Sequence, residues 1–175
     1  MGLKGGPTQD EVMAISLFKL GLRKGCSFAD IGCGTGKVSI AAAATADKVF
    51  AIDRRKEAIE YAKAQAVSSG VSGINFYEGS AVDFLMGIDA VDCAFVGGSR
   101  DLKEVLGILS EKVRGNIVVN AVMLDTFYEA VNTMKQLGIF KEAIHVQVSR
   151  SYPIAGSIML KPIDPVYIIV GGKTC

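Results

Sequence analysis

The sequence predicts an α/β fold: a mostly parallel sheet with helices on both faces, finished by an antiparallel C-terminal hairpin strand. Three observations carry that expectation. From residue 8 to residue 137, short apolar runs alternate with stretches of helical periodicity, the order of strands joined by right-handed crossovers. One run, Phe28-Ala-Asp-Ile31, passes directly into glycines at 32, 34 and 36, where a missing Cβ lets the chain turn tightly and lets a ligand approach the backbone. The last two runs, Phe140 to Arg150 and Val166 to Val170, have no helical segment between them and so must pair antiparallel.

Residues 1–7, with three glycines and one proline, read as a flexible lead-in. Thr8 is expected to cap the first helix, with Glu11 at the capping-box position and Gln9, Asp10 and Glu11 filling the first turn as the macrodipole favours. Val12, Ile15, Leu17, Phe18, Leu20 and Leu22 give that helix a broad apolar face to about residue 22, and Gly25 ends the turn into the first strand. Lys37 to Ala46 is an alanine-rich helix whose small side chains suit close packing on a sheet. A short apolar strand, Val49-Phe-Ala-Ile52, leads to a helix from Glu57 to Ser69 with Ala58, Ile59, Ala62, Ala66 and Val67 inward and Gly70 as its stop. Ile74 to Tyr77 is a third strand. Ala90 to Val96 is a nearly continuous apolar run, as in a parallel strand buried on both faces. Leu102 to Val113 is helical, Ile117 to Ala121 is a fifth strand, and Leu124 to Leu137 is a helix closed by Gly138. Within Phe140 to Arg150, Ile144, Val146 and Val148 alternate with His145, Gln147 and Ser149. A glycine- and proline-marked connection from Tyr152 to Pro165 precedes the last strand.

Composition narrows the class. The 175 residues fit one domain, 1–175, large enough to bury a proper core, with half of them apolar. A formal net charge of +1 argues against a dedicated nucleic-acid binder, which needs a basic excess to meet phosphates. No apolar run is long enough to span a bilayer and no secretory h-region opens the chain, so a cytoplasmic protein is expected. The four cysteines, at 26, 33, 93 and 175, lie far apart without metal-type spacing and read as free thiols, with no metal site implied.

The glycine spacing selects among nucleotide ligands. A dinucleotide fingerprint places its third glycine where this chain has Lys37, and a phosphate loop requires Ser or Thr where this chain has Val38. What remains, Asp30-x-Gly32-x-Gly34-x-Gly36, resembles the S-adenosylmethionine loop of the Rossmann-like class I methyltransferases. Asp53 follows the second strand, seventeen residues past Gly36. A carboxylate there is placed to accept from the two hydroxyls of a ribose; as an Asp it would also serve as a helix cap. After strand three comes Glu78-Gly-Ser-Ala81, and after strand four Gly97-Gly98-Ser99, where absent side chains leave room for a sulfonium and an approaching acceptor. An ordinary turn is the alternative account of that double glycine.

A closer likeness runs along nearly the whole chain. Gly6-Pro7-Thr8, Asp30-Ile-Gly-Cys-Gly-Thr-Gly36, Ala51-Ile-Asp-Arg54, Glu78-Gly-Ser-Ala81, Val96-Gly-Gly-Ser99, Val118-Val-Asn-Ala-Val122 and the ending from Val148-Ser-Arg150 to Pro165 resemble the decarboxylating precorrin methyltransferase family of cobalamin synthesis. The family pattern has Asp where this chain has Ser80, and usually Gly where it has Ser151. The resemblance implies a seven-stranded class I methyltransferase fold and a cobalt-precorrin substrate. A methyl would pass from S-adenosylmethionine to carbon 15 of that tetrapyrrole, with loss of carbon dioxide from the acetate on carbon 12. It implies that Thr8, Gly32, Cys33, Gly34, Thr35, Gly36, Asp53 and Ala81 contact the cofactor; Ser80, where related enzymes often have an acid toward the adenine amine, and Gly97, beside the sulfonium, are added from their places after strands three and four. Relatives are similar in forming tetramers, which implies a homotetramer built partly on the C-terminal hairpin.

A polycarboxylate substrate calls for basic groups, and Arg100 and Arg150 are the candidates, as solvated surface charges otherwise. Asn120, at the end of strand five, is placed either to hydrogen-bond a ring substituent or to cap the next helix. His145, on the polar face of an alternating strand, suits a solvent or subunit contact better than a catalytic base. Two other readings stand beside this one: a class I methyltransferase for RNA or another small molecule, and a nucleotide-binding module without catalysis. The chain lacks the Asn-Pro-Pro-aromatic clamp and the Pro-Cys pair of base-modifying enzymes, which argues against nucleic acid.

Overall fold

The computed structural model describes residues 6, 8–98 and 100–173. The expected lead-in at residues 1–5 and Pro7, Ser99 of the double-glycine turn, and Cys175 lie outside the described residues.

Apolar spacing and glycine stops build the first half in the expected alternation: α1 (Asp10–Leu20), β1 (Ser27–Ile31), α2 (Lys37–Ala42), β2 (Lys48–Asp53), α3 (Lys56–Ser68) and β3 (Ile74–Glu78). The second half runs α4 (Ala81–Met86), β4 (Cys93–Val96), α5 (Leu102–Lys112), β5 (Asn116–Ala121) and α6 (Leu124–Gln136), then β6 (Phe140–Val146), β7 (Ser149–Ile154), β8 (Ser157–Pro162) and β9 (Val166–Gly172). Seven strands form one sheet in the order β3-β2-β1-β4-β5-β9-β6. The first five are parallel, and β9 runs antiparallel between β5 and β6.

The core divides between the two faces of the sheet. Leu85 of α4, Leu102, Val105, Leu106 and Leu109 of α5, and Ala130 and Met134 of α6 cover one face, meeting Ala29, Ile31, Val119 and Ile169. Val12 and Leu20 of α1 and Val38 and Ala42 of α2 cover the other, against Phe28, Phe95, Val118 and Ile168. Burying each large side chain contributes about 1.5–3 kcal/mol against an exposed one. Every second residue of a strand takes the same face, so Asp30 and Asn120 share the α1 and α2 side with Phe28 and Val118.

Several expectations need correction. Gln9 rather than Thr8 occupies the N-cap of α1, and no side chain caps it, because the chain stays extended one residue further. Phe18 is 79% exposed and Val67 80%, so the buried stripes of α1 and α3 are narrower than the apolar pattern; Ser16, fully buried, takes a place in the α1 stripe. The alanine run ends its helix at Ala42, not Ala46. The amides of Asp47 and Lys48 are drawn to the Cys26 carbonyl at 3.1 and 3.4 Å, so sheet pairing overrides helix propensity there. α4 was not anticipated. The strand expected from Ala90 starts at Cys93, preceded by a lone bridge between Val91 and Val113.

The largest departure is the C-terminal connection. Phe140 to Arg150 is two strands, and residues 149–162 form a separate antiparallel ribbon. Its turn is Ala155-Gly156, both residues at positive φ, 46° and 77°, the arrangement whose twist suits a two-residue hairpin. Every residue of β7 and β8 is exposed.

Candidate functional site

The site forms where β1, β2 and β4 end. The amides of Gly32 and Cys33 donate to the Ile52 carbonyl at 2.8 and 2.9 Å, that of Gly36 to the Cys33 carbonyl at 2.8 Å, and that of Gly97 to the Ile31 carbonyl at 2.8 Å. The Gly34 amide donates to Asp53 Oδ2 at 3.0 Å. These four amides of the loop are bonded inside the protein. The glycines also supply room. A Cβ on Gly32 would stand 3.1 Å from the Gly98 nitrogen, and one on Gly36, at φ +76°, would stand 2.7 Å from Ala62 Cβ.

Two cavities share Gly32, Gly97, Gly98 and Arg55 as walls. The first, about 390 Å³, reaches Ile52, Asp53, Ala81, Arg100 and Asp101. The second, about 290 Å³, is bounded by Thr8, Asp30, Cys33, Gly34, Thr35 and Lys37. Of the residues anticipated as cofactor contacts, Thr8, Gly32, Cys33, Gly34, Thr35, Asp53, Ala81 and Gly97 thus lie around this paired space. Gly36 sits behind it against Ala62, and Ser80 is the residue before α4 rather than a wall residue. Arg100 lies at the rim. Arg54, which also borders the first cavity, pairs with Asp101 at 2.8 Å.

Asp53 is buried and heavily bonded. Oδ1 accepts from the Arg55 main-chain N–H at 3.0 Å and from Nε at 3.1 Å; Oδ2 accepts from Gly34 and from Arg55 Nη2 at 3.1 Å. Burial pushes this carboxyl up, but the Arg55 and Gly34 hydrogen bonds outweigh it and hold it below the usual range. Asp53 therefore closes β2 and lies in the cavity wall, while Arg55 is the N-cap of α3 and, among the described residues, no side chain caps that helix.

Asp30 behaves oppositely. It is fully buried, Ser39 Oγ donates to its Oδ2, and Oδ1 has no partner among the described residues. Burial, with the nearby Asp53 charge added, lifts it to about 7 against the Ser39 hydrogen bonds. Burial also pushes the Cys33 thiol up, so it is no nucleophile at neutral pH. Sequence reasoning read Asp30 only as part of a spacing; a carboxylate in an otherwise apolar buried strand was the signal of a perturbed group.

Of the substrate candidates, Arg100 lines the first cavity, whereas Arg150 and Asn120 line neither. Arg150 Nη2 pairs with Glu11 Oε2 at 2.7 Å. Asn120 Oδ1 lies 3.1 Å from Ser16 Oγ, while its Nδ2 is buried without a partner among the described residues. Ser16 has one hydroxyl proton, and the Val12 carbonyl at 2.8 Å takes it. A carboxamide that presents Nδ2 to Ser16 Oγ satisfies both groups, and leaves Asn120 Oδ1 as the acceptor facing away from α1. His145 is exposed and stacks on Tyr167 at 4.9 Å between ring centroids.

A parallel sheet with β9 inserted antiparallel beside β5, a glycine loop after β1 and an acid at the tip of β2 define a Rossmann-like class I methyltransferase fold. The chain belongs to the precorrin methyltransferase family: the model of the precorrin methyltransferase domain matches residues 4–172. A relative from Methanosarcina acetivorans, named probable cobalt-precorrin-6B C(15)-methyltransferase (decarboxylating), is 48% identical over 99% of this chain and 97% of its own length. The crystal structure of precorrin 8W decarboxylase from Methanobacterium thermoautotrophicum matches at a TM-score of 0.92 and 32% identity, over 96% of this chain and 92% of that one. That of precorrin-6y C5,15-methyltransferase from Geobacter metallireducens matches at a TM-score of 0.92 and 29% identity, over 99% and 94%.

Proposed function

We propose that the chain is a single-domain, S-adenosylmethionine-dependent C-methyltransferase that acts on carbon 15 of cobalt-precorrin-6B and releases the carbon 12 acetate carboxyl as carbon dioxide, giving cobalt-precorrin-7 in cobalamin synthesis. The observation that carries this reading is the 48% identity, over both whole lengths, to the relative of that name. The paired cavity supports the cofactor half. Its two parts share Gly32, Gly97, Gly98 and Arg55, with an ionised Asp53 lining one and Asp30, whose Oδ1 has no partner among the described residues, lining the other. Those groups suit a ligand with a diol at one end and an ammonium at the other. When bound, S-adenosylmethionine supplies an activated methyl group, so the protein's task is to align and to exclude water.

Asp53 serves the sugar, the glycine turn admits the chain of the ligand, and Gly97 and Gly98 leave space beside the sulfur. Asn120 Oδ1, Arg100 and Arg150 serve the acceptor, the arginines by meeting substrate carboxylates. Ser80, with Ala81 beside it, stands on the adenine side. The protein acts in the cytoplasm as a homotetramer. The exposed ribbon supports that assembly: Ile158 is 72% and Leu160 69% exposed, an apolar edge of the kind that association covers. Mass analysis of the product from cobalt-precorrin-6B and S-adenosylmethionine tests the activity. Gain of one methyl with loss of carbon dioxide is expected; an unchanged tetrapyrrole, or methylated RNA in its place, overturns the reading.

A further inference from the structure

We infer that Lys37 is a positioning residue for the cofactor, holding the chain ahead of α1 in the wall of the smaller cavity; this rests on the reading of that cavity as part of the methyl-donor site. Lys37 stands where a dinucleotide fingerprint would carry its third glycine. Its Nζ donates to the Thr8 carbonyl at 2.8 Å and pairs with Asp10 Oδ1 at 2.6 Å. Thr8 and Lys37 both line the cavity, so the contact ties two of its walls together across 29 residues of chain.

The ordinary explanation, helix stabilisation, does not account for this lysine. It is the first residue of α2, a helix with no acid in its first turn, and its ammonium lies against the N-terminus of α1. A cation is electrostatically disfavoured at both helix starts, so the two oxygen contacts offset a cost that a neutral residue would avoid. The first turn of α1, in turn, has no side-chain cap of its own. It is held from outside, by Lys37 on Asp10 and by Arg150 on Glu11 at 2.7 Å. Without Lys37, Thr8 loses this tie and the first turn of α1 keeps the Arg150 contact.

The test uses the full chain, with S-adenosylhomocysteine and S-adenosylmethionine as probes. Lys37→Met is expected to bind S-adenosylhomocysteine about five- to tenfold more weakly by calorimetry. The KM for S-adenosylmethionine should rise in proportion, with kcat within about twofold, and Lys37→Arg should restore both. In the wild type the ligand should slow exchange of the Met13 amide, which bonds the Gln9 carbonyl at 2.8 Å, and in Lys37→Met it should not. Wild-type affinity in Lys37→Met overturns the inference, whether or not its melting temperature falls. Where Lys37→Met does not fold, Asp10→Asn decides: weaker binding supports the role, unchanged binding removes it. A wild type that ignores both probes overturns the site reading as well, and so is told apart from a failure of Lys37 alone.

Discussion

The Gly34 main-chain N–H donates to Asp53 Oδ2 at 3.0 Å, and the Arg55 side chain fills the remaining front of the same carboxylate. A carboxylate has about four acceptor sites, so this acid is close to saturated by the protein itself. It thereby fixes the glycine loop to the tip of β2. For a ribose to use it, Arg55 has to give up its side-chain hydrogen bonds.

Replacing Asp53 should therefore cost both structure and ligand. Asp53→Ala is expected to weaken S-adenosylhomocysteine binding at least about tenfold and to lower stability by about 1–3 kcal/mol, since the half-buried Gly34 amide loses its acceptor. Calorimetry and thermal melting measure the two effects. Because its folded value is depressed, the contribution of Asp53 is present above its ordinary 3.8 and is lost as pH falls through that lowered value.

Arg55→Leu separates the apo from the bound state. Removing the guanidinium leaves Asp53 less well paired, so the ligand-free melting point should fall. The acceptor sites it frees are open to the sugar, so the rise in melting point on adding S-adenosylhomocysteine should exceed the wild-type rise. An equal rise would show that Arg55 does not compete with the ligand.

Asp30 makes stability depend on pH in the opposite sense to Asp53. With its carboxyl raised to about 7, the folded chain holds a proton that the unfolded chain has lost above its ordinary 3.8. The stabilisation is complete below 3.8, declines as pH rises, and is gone once pH passes about 7. It amounts to at most about 4 kcal/mol. Asp30→Asn, which keeps the shape without the charge, should flatten this decline in denaturation curves between pH 4 and 8. A cationic ligand in the adjoining cavity favours the ionised form, so wild-type binding near neutral pH should release a proton, read by calorimetry in buffers of different ionisation enthalpy.

Gly36→Ala tests the packing behind the loop. The new Cβ would meet Ala62 Cβ at 2.7 Å, at a φ of +76°. A loss of about 2–4 kcal/mol is expected by chemical denaturation, combining backbone strain with the clash. Adding Ala62→Gly should recover only part of it, because the strained φ remains.

The exposed ribbon gives the last prediction. Ile158→Glu with Leu160→Glu should leave secondary structure intact, since both side chains already face solvent in the chain itself, and, if the proposed homotetramer forms through the ribbon, should reduce the mass found by light scattering below the wild-type value. An unchanged mass would place the assembly surface elsewhere.

The strand and helix alternation, the glycine turn and Asp53 could be read from the chain because they depend on local rules. Side-chain period sets strand and helix, and a missing Cβ permits a left-handed bend wherever the fold later puts it. Tyr152 to Pro165 was legible only as a connection, because an exposed ribbon of apolar and polar residues has no buried face to impose a pattern. What the folded chain alone decided is who meets whom: Arg150 with Glu11, Lys37 with Thr8, the Gly32 and Cys33 amides with the Ile52 carbonyl. Those pairings join groups far apart in sequence, whose distance is set by how the sheet is ordered and the helices packed.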